Sequence, residues 1–373
     1  MLEEGEDIVL VVDYHSENIE YRWLNQATGE GRTGRYATSR VGVLGQVEQA
    51  TQELSAGGRV VWVMESTTGW ARVKDLLGER VELVLCNVLQ MPLPPKGRRR
   101  KTDKIDTGRI LREYLHGSLP ASFQPAAWWR QVRRVVDCRQ DLVKRQTATK
   151  NWTGSLPHHE TWEDRRNLWS GGGLARLAGA KLSTSDRELL ELKLEQLRHL
   201  EVELRQVESR MQAIYDSWPE AQWVDQIRGV GMVTAVSVLA HVGPVERFKG
   251  PEDLISYAGL APGMWESDGT CHHGRIGGGG TDGHLRYLLI EATRWLREIP
   301  RYHPTYERVL SKRGKKVAKI VLARLFLRSL HKMLGDRVRF NPVRISGTTC
   351  GVAKTNKTAT TTTKATATAS CSR

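Results

Sequence analysis

The apolar positions of this chain recur with two different periods. Asp7–Asp13 (Asp-Ile-Val-Leu-Val-Val-Asp) and Arg59–Glu65 (Arg-Val-Val-Trp-Val-Met-Glu) are short, β-branched runs, each closing on a carboxylate. Runs of this kind suit strands buried on both faces. Val81–Cys86 predicts a third central strand, and Asn18–Asn25 with Thr33–Ala37 predict a hairpin or meander beside the first. Between them, Gly42–Ser55 and Trp70–Leu77 carry helical spacing, the former stopped by Ala56-Gly57-Gly58. The order β, hairpin, α, β, α, β predicts an α/β layered domain.

Beyond the loop Pro92-Leu93-Pro94-Pro95-Lys96-Gly97-Arg98-Arg99-Arg100, the helical period takes over. A helix is expected from near Thr102 to Tyr114, and a long basic one over Trp128–Asn151. Gly171-Gly172-Gly173 reads as a hinge or turn. Over Ser185–Tyr215, Leu190, Leu197, Leu204 and Met211 recur every seven residues, with Lys193, Leu200, Val207 and Ile214 three positions on. That stripe, with its polar lapse at Lys193, serves a helical hairpin with Trp128–Asn151 or an intermolecular coiled coil equally well. Ile227–Gly231 before the apolar helix Met232–His241 has the form of a helix-hairpin-helix, in which Gly229 and Gly231 let backbone N–H groups approach a phosphate. After the glycine loop Gly277–Gly280 come a helix over Leu285–Ile299, a break at Pro300–Pro304 and a basic amphipathic helix over Lys316–Leu334. From Asn341 to Arg373 the chain is Thr, Ala, Ser and Lys without aromatics, a composition expected to stay disordered.

Charge changes this picture. The 373 residues allow two or three domains and carry a formal charge of +14. Residues 1–95 hold 8 basic and 14 acidic side chains, whereas residues 96–150 hold 15 basic and 5 acidic; residues 301–373 hold 17 and 2. The first basic block interleaves aromatics, as in Trp128-Trp129-Arg130-Gln131-Val132-Arg133-Arg134. Cations release phosphate counterions and Trp stacks on bases, so a nucleic-acid partner is expected. The candidate contacts are Arg98, Arg99, Arg100, Lys101, Arg133, Arg134, Arg139, Lys144, Arg145 and Lys150. Val233–Val242, the longest mainly apolar stretch, is about half of what a bilayer crossing needs. The acidic opening Glu3-Glu4-Gly5-Glu6-Asp7 has the wrong sign for a secretion signal, and five scattered cysteines without a Cys-x-x-Cys pair fit a reducing compartment. No membrane association is expected, and the chain is placed in the cytoplasm.

The chemistry sits in the carboxylates. Asp13 and Glu65 end two predicted central strands, while Asp103 and Asp106 lie three apart at the start of a helix, on one face. Four acids gathered at the strand ends would repel unless a divalent cation joined them. Hard oxygen ligands of this kind suit Mg²⁺ or Mn²⁺ and the activation of an oxygen nucleophile at phosphorus. Four unrelated surface acids remain the open alternative at this point.

Two motif sets add a resemblance. Asp13, Met64-Glu65-Ser66-Thr67 and Lys101-Thr102-Asp103-Lys104-Ile105-Asp106 resemble the RuvC-like "DEDD" domain of a group of bacterial insertion-sequence transposases related to the Piv DNA invertase. Ile227–Gly231, Arg247-Phe248-Lys249, Ser256–Pro262, Ser267-Asp268-Gly269, Gly274-Arg275-Ile276 and Leu285-Arg286 are similar to that group's C-terminal domain. The resemblance implies a RuvC/RNase H-like α/β domain over residues 1–124, with Mg²⁺ (or Mn²⁺) on Asp13, Glu65, Asp103 and Asp106. It further implies an all-α, coiled-coil region that binds nucleic acid and oligomerises over 125–221. A mainly α transposase domain with the helix-hairpin-helix follows over 222–340, before the tail 341–373. Ser267 would attack a DNA phosphate that His272, His273 and Arg275 could hold, and Arg275 and Arg286 would count among the nucleic-acid contacts. Donor and target DNA, a noncoding bridge RNA and homodimers or tetramers would be the partners, at the bacterial nucleoid. The family pattern has a Ser-Gly-Gly-like turn followed by basic residues where this chain has Asp268 and then Thr270-Cys271-His272-His273, and a basic Lys/Arg-Gly segment where it has Gly278-Gly279-Gly280-Thr281. A metal-only nuclease of the junction-resolvase kind and an inactive nucleic-acid-binding relative stay open as alternatives.

Overall fold

In the computed structural model, residues 6–15, 18–37, 45, 48, 59–67, 69–78, 81–91, 103–156, 167–267, 270–277 and 282–343 are described. Strands β1 (Glu6–Tyr14), β2 (Asn18–Asn25), β3 (Gly31–Ala37), β4 (Arg59–Glu65) and β5 (Glu82–Cys86) form one sheet in the order β3-β2-β1-β4-β5. The short links at either end of β2 impose antiparallel pairing with β1 and β3, and Asn25 Oδ1 accepts the Ala27 and Thr28 N–H groups to shape the second turn. β4 and β5 return through longer crossovers and pair parallel, β4 beside β1 and β5 beside β4. Helix α1 (Trp70–Leu77) makes the crossover between β4 and β5. Of the helix expected over Gly42–Ser55, only Gly45 and Glu48 fall within the described residues, both helical.

Alternation along the strands divides the core into two layers. Ile8, Leu10 and Val12 of β1 face the same way as Trp62 and Met64 of β4, and meet Val73 and Leu77 of α1. Val9, Val11, Val61 and Val63 face the opposite side, where Ile110 and Leu111 of α2 (Asp103–Leu115) cover them. The free edge of β5 is closed by an extended segment: Ser122 N–H donates to Leu85 C=O at 2.7 Å and Asn87 N–H to Pro120 C=O at 2.8 Å.

Helix α3 (Ala127–Thr153) starts from that segment and packs against α5 (Thr184–Asp216) within the same chain. The intramolecular hairpin is therefore the arrangement that holds the heptad stripe. Leu190, Leu197, Leu200 and Met211 are buried, and Arg139 bonds Glu208 across the pair at 2.7 Å. Lys193, the polar lapse, sits with its ammonium 5.2 Å from the centre of the Trp152 ring, which explains its place in an apolar stripe. The triple glycine, expected as a hinge or turn between helices, is helical instead. Gly171–Gly173 form the first turn of α4 (Gly171–Ala178), where Ser170 Oγ accepts the Gly173 N–H, and a side chain at Gly173 would strike the Asn167 and Leu168 carbonyls.

The remaining helices are α6 (Pro219–Asp225), α7 (Met232–Val242), α8 (Pro251–Tyr257), α9 (Gly283–Leu296) and α10 (His303–Gly335). One core joins them, and it extends across residue 221 into Val132, Val136 and Met211. Gly314, at φ 77° and ψ 171°, divides His303–Gly335 into two helices, of which the second coincides with the one expected over Lys316–Leu334. The first was not expected; Pro304 sits in its first turn, where the missing N–H costs nothing. A two-stranded hairpin, β6 (Pro262–Ser267) with β7 (Thr270–Ile276), interrupts the helical layer. Its Gly, His, Cys and Ser content gives no β-branched alternation to predict it. The C-terminal tail from residue 344, expected to be disordered, lies outside the described residues.

Candidate functional site

The register of the sheet brings two acids together. Val12 of β1 pairs with Met64 of β4, so Asp13 and Glu65 follow on the next rung, at the carboxyl ends of parallel strands. That edge is where open α/β sheets bind ligands. Both positions share the face of Val9, Val11, Val61 and Val63, the face that α2 covers. Ile110 anchors α2 in that layer, and Asp106, four residues before it on the same helix face, is delivered to the strand ends. Asp13, Glu65, Asp106, Arg109, Val88, Met91 and Ile110 line one pocket of about 50 Å³. Three carboxylates against one guanidinium leave a formal charge of −2 there. Asp13 is buried, and His15 Nε2 stands 3.1 Å from its Oδ1. Neither His15 nor Arg109 was singled out by the sequence pattern. The signal that would have found them is spacing: His15 is two residues from Asp13, Arg109 three from Asp106.

Cys86 closes β5 beside Glu65. Burial pushes its thiol up to about 12, the Glu65 charge adds to the rise, and Arg109 partly opposes it. Cys138, by contrast, is exposed. Alkylation of the native protein with iodoacetamide at pH 7.5, read by peptide mass mapping, should label Cys138 while Cys86 reacts roughly a thousandfold more slowly, following its thiolate fraction. Equal labelling of the two would show that the strand end is open to solvent.

Asp103 is the first residue of α2, one turn before Asp106. Ser267 is the last residue of β6 and pairs with Thr270 on the final rung of the hairpin; Arg275 lies near the end of β7. Arg98, Arg99, Arg100 and Lys101 lie outside the described residues.

The basic candidates on α3 divide by helix face. Arg134, Lys144 and Arg145 are exposed, Arg145 paired with Asp141 one turn back at 2.7 Å. Lys150 lies over the Trp169 ring, and Arg139 holds Glu208. Arg133 is turned inward. The last carbonyls of α7 have no partners within their own helix, and Arg133 supplies them: Nε donates to Ala240 C=O at 2.8 Å and an Nη to His241 C=O at 2.9 Å. Tyr257 Oη and Arg247 Nε complete this cap, on His241 C=O and Val242 C=O.

Gly231 caps α7 and leaves open space above it, whereas Gly229, at φ +84°, lies against the Trp295 side chain and admits no Cβ. The turn between α6 and α7 is tied down by Arg228 to Glu298 at 2.7 Å. Arg286 Nη1 is buried beside Gly277, without a hydrogen-bond partner among the described residues.

A second polar cluster lies where α3, α7 and α9 meet. His241 Nδ1 and Asp282 Oδ2 are 2.6 Å apart, and the His284 ring stands edge-on to that of His241. Burial pushes the Asp282 carboxyl up, but the His241 hydrogen bond and charge, the Leu285 N–H and Arg133 together hold it down at about 2.

The fold thus defines a chain with an acidic pocket at the ends of parallel strands and a helical layer carrying a small hairpin. Residues 221–307, which span α6 to the start of α10, match the family model described as Transposase IS116/IS110/IS902 family. The transposase for insertion sequence element IS1111A of Coxiella burnetii is 24% identical over 259 residues, which are 63% of this chain and 65% of that protein. The y4qE protein of Sinorhizobium fredii is 26% identical over 223 residues (58% and 54%), and an uncharacterized protein of insertion element IS110 from Streptomyces coelicolor is 33% identical over 135 (35% and 33%). The chain therefore spans less than two thirds of the length of each of these relatives. Among the described residues, no helix is long and apolar enough to cross a membrane.

Proposed function

We propose that this chain is an insertion-sequence transposase that cuts and rejoins DNA through a phosphoserine link to Ser267, using a divalent cation held by Asp13, Glu65, Asp106 and Asp103. The match of residues 221–307 to a transposase family supports the class. The observation that carries the metal-dependent chemistry is the convergence of Asp13, Glu65 and Asp106 on one pocket from three separate elements. An all-oxygen set with excess negative charge fits Mg²⁺ or Mn²⁺. When bound, such a cation supplies Lewis-acid stabilisation of charge on phosphate oxygens.

The chain's own residues do the rest. A serine hydroxyl needs help to lose its proton at neutral pH, and the carboxylates are the bases this reading supplies. The bond that forms is Ser267 Oγ to phosphorus; the bond that breaks joins phosphorus to the departing strand end, whose oxygen takes up a proton. A mixed sheet with its acids at the carboxyl ends of β1 and β4 supports the RuvC-like reading. The turn between α6 and α7, with Gly231 open at a helix N-terminus, supports the helix-hairpin-helix as a phosphate contact. Exposed Arg134, Lys144 and Arg145 supply a face for DNA or for a noncoding bridge RNA. Assembly as dimers or tetramers on paired DNA belongs to the same proposal.

The test is covalent trapping. Full-length protein incubated with element-end DNA and Mg²⁺ should give SDS-stable protein–DNA adducts, and Ser267→Ala should give none and no cleavage. Normal cleavage by the alanine variant would make water the nucleophile and the protein a metal-only nuclease.

A further inference from the structure

Asp137 on α3, His241 in the last turn of α7 and His284 in the first turn of α9 are remote in sequence and belong to none of the motifs above. Each offers one ligand atom, and the three atoms lie within 4.8 Å of one another. Asp137 Oδ1 is 3.8 Å from His241 Nε2 and 3.7 Å from His284 Nδ1. Ligands around a tetrahedral Zn²⁺ at about 2.0–2.1 Å stand roughly 3.3 Å apart, so closing the set takes about half an ångström on each Asp137 distance and at most about 1.5 Å between the two imidazoles.

The independent observation is His241 itself. Its side chain is only 8% exposed, yet Nε2 has no hydrogen-bond partner among the described residues. Leaving a buried imidazole nitrogen unbonded is costly. The other nitrogen explains which way the ring is used. A carboxylate oxygen accepts, so the 2.6 Å contact with Asp282 assigns a hydrogen to Nδ1 and leaves Nε2, the nitrogen on the Asp137 side, as the atom free to ligate. A carboxylate holding the far nitrogen of a ligating histidine is the usual outer support of a zinc ligand. Two carboxylates, Asp137 and Asp282, stand at the cluster, and the two guanidiniums nearby are occupied with helix-end carbonyls, Arg133 with those of Ala240 and His241 and Arg247 with that of Val242.

We propose that His241 Nε2, His284 Nδ1 and an Asp137 carboxylate oxygen form a transition-metal site of the Zn²⁺ class, chemically separate from the acidic pocket around Asp13. Two imidazoles and one carboxylate select Zn²⁺ or Co²⁺, whereas the all-oxygen pocket selects Mg²⁺. The fourth position opens on the Asp137 side, whose carboxylate is largely exposed. Bound there, the ion staples three helices at the foot of the segment that follows the β6–β7 hairpin. Asp282 already ties that segment down through its N–H to Tyr257 C=O and its cap on Leu285. The site stands whether or not Ser267 is a nucleophile.

The untagged full-length protein, stripped with chelator, is titrated with Co²⁺ and separately with Zn²⁺. Wild type should take one Co²⁺ per chain, with the intense visible absorption of a tetrahedral nitrogen/oxygen site and no thiolate band in the near ultraviolet. Asp13→Asn should behave as wild type. His284→Ala and Asp137→Asn should bind more than about tenfold more weakly, and Zn²⁺ should raise the melting temperature of wild type but not theirs. Asp137 is largely exposed and its change to Asn is isosteric, so circular dichroism of at least that metal-free variant should match wild type and keep the test independent of folding at the more buried His284. A wild type without the tetrahedral spectrum, or variants that keep it unchanged, would overturn the proposal.

Discussion

Asp13→Asn is expected to abolish DNA cleavage and strand exchange, with a loss of roughly a thousandfold or more. A bound cation contributes several kcal/mol to the transition state, and each 1.4 kcal/mol, about, is a factor of ten. The substitution keeps the volume of a buried strand-end side chain but removes one of three charges from the pocket that Glu65 and Asp106 share. It should therefore leave the metal-free protein as stable as before, or more so, because like charges at short range repel. A supercoiled-plasmid cleavage assay with added Mg²⁺, run beside a melting curve in EDTA, reads both halves. An inactive variant that also unfolds early would assign Asp13 a structural role. Cleavage at the wild-type rate would leave the pocket without catalytic meaning and the chain as a nucleic-acid binder.

The second large effect separates two neighbours on one helix. Arg133→Met should cost about 3–5 kcal/mol of unfolding free energy. It removes two charge-assisted hydrogen bonds of about 1.5–3 kcal/mol each from carbonyls at the end of α7, where His241 C=O keeps Tyr257 Oη, and it withdraws a cation from a helix C-terminus. Arg134→Ala should change stability by less than about 0.5 kcal/mol. It should instead weaken DNA binding and lower the slope of log affinity against log salt by about 1. Urea unfolding and salt-titrated fluorescence anisotropy measure the two. Exchanged outcomes would mean that α3 presents its opposite face to the polyanion.

That contrast shows where the sequence was legible and where it stopped. Val9, Val11, Val61 and Val63 announce a buried sheet because a β-branched run has few other uses, and the positions of Asp13 and Glu65 follow from the ends of those runs. The seven-residue stripe from Leu190 to Met211 fixes a helix equally firmly, yet its partner was open because an apolar seam does not say whose helix fills it. Arg133 was grouped with its basic neighbours because charge is visible in a sequence, while inward orientation is set by contacts more than 100 residues away. Asp137, His241 and His284 escaped for the same reason. They share no periodicity and no spacing, and only the crossing of three helices makes them neighbours.

The start of α3 is fixed to the sheet domain in several ways: Arg130 pairs with Asp75 and lies over the Trp70 ring, Gln124 bonds Leu83 and Lys74, and residues 120–122 seal the edge of β5. From that clamp the helix runs 27 residues, about 40 Å of rod. Its far end thus amplifies whatever happens at its base: a tilt of five degrees beside the sheet sweeps the tip through about 3.5 Å, the scale of a base-pair rise.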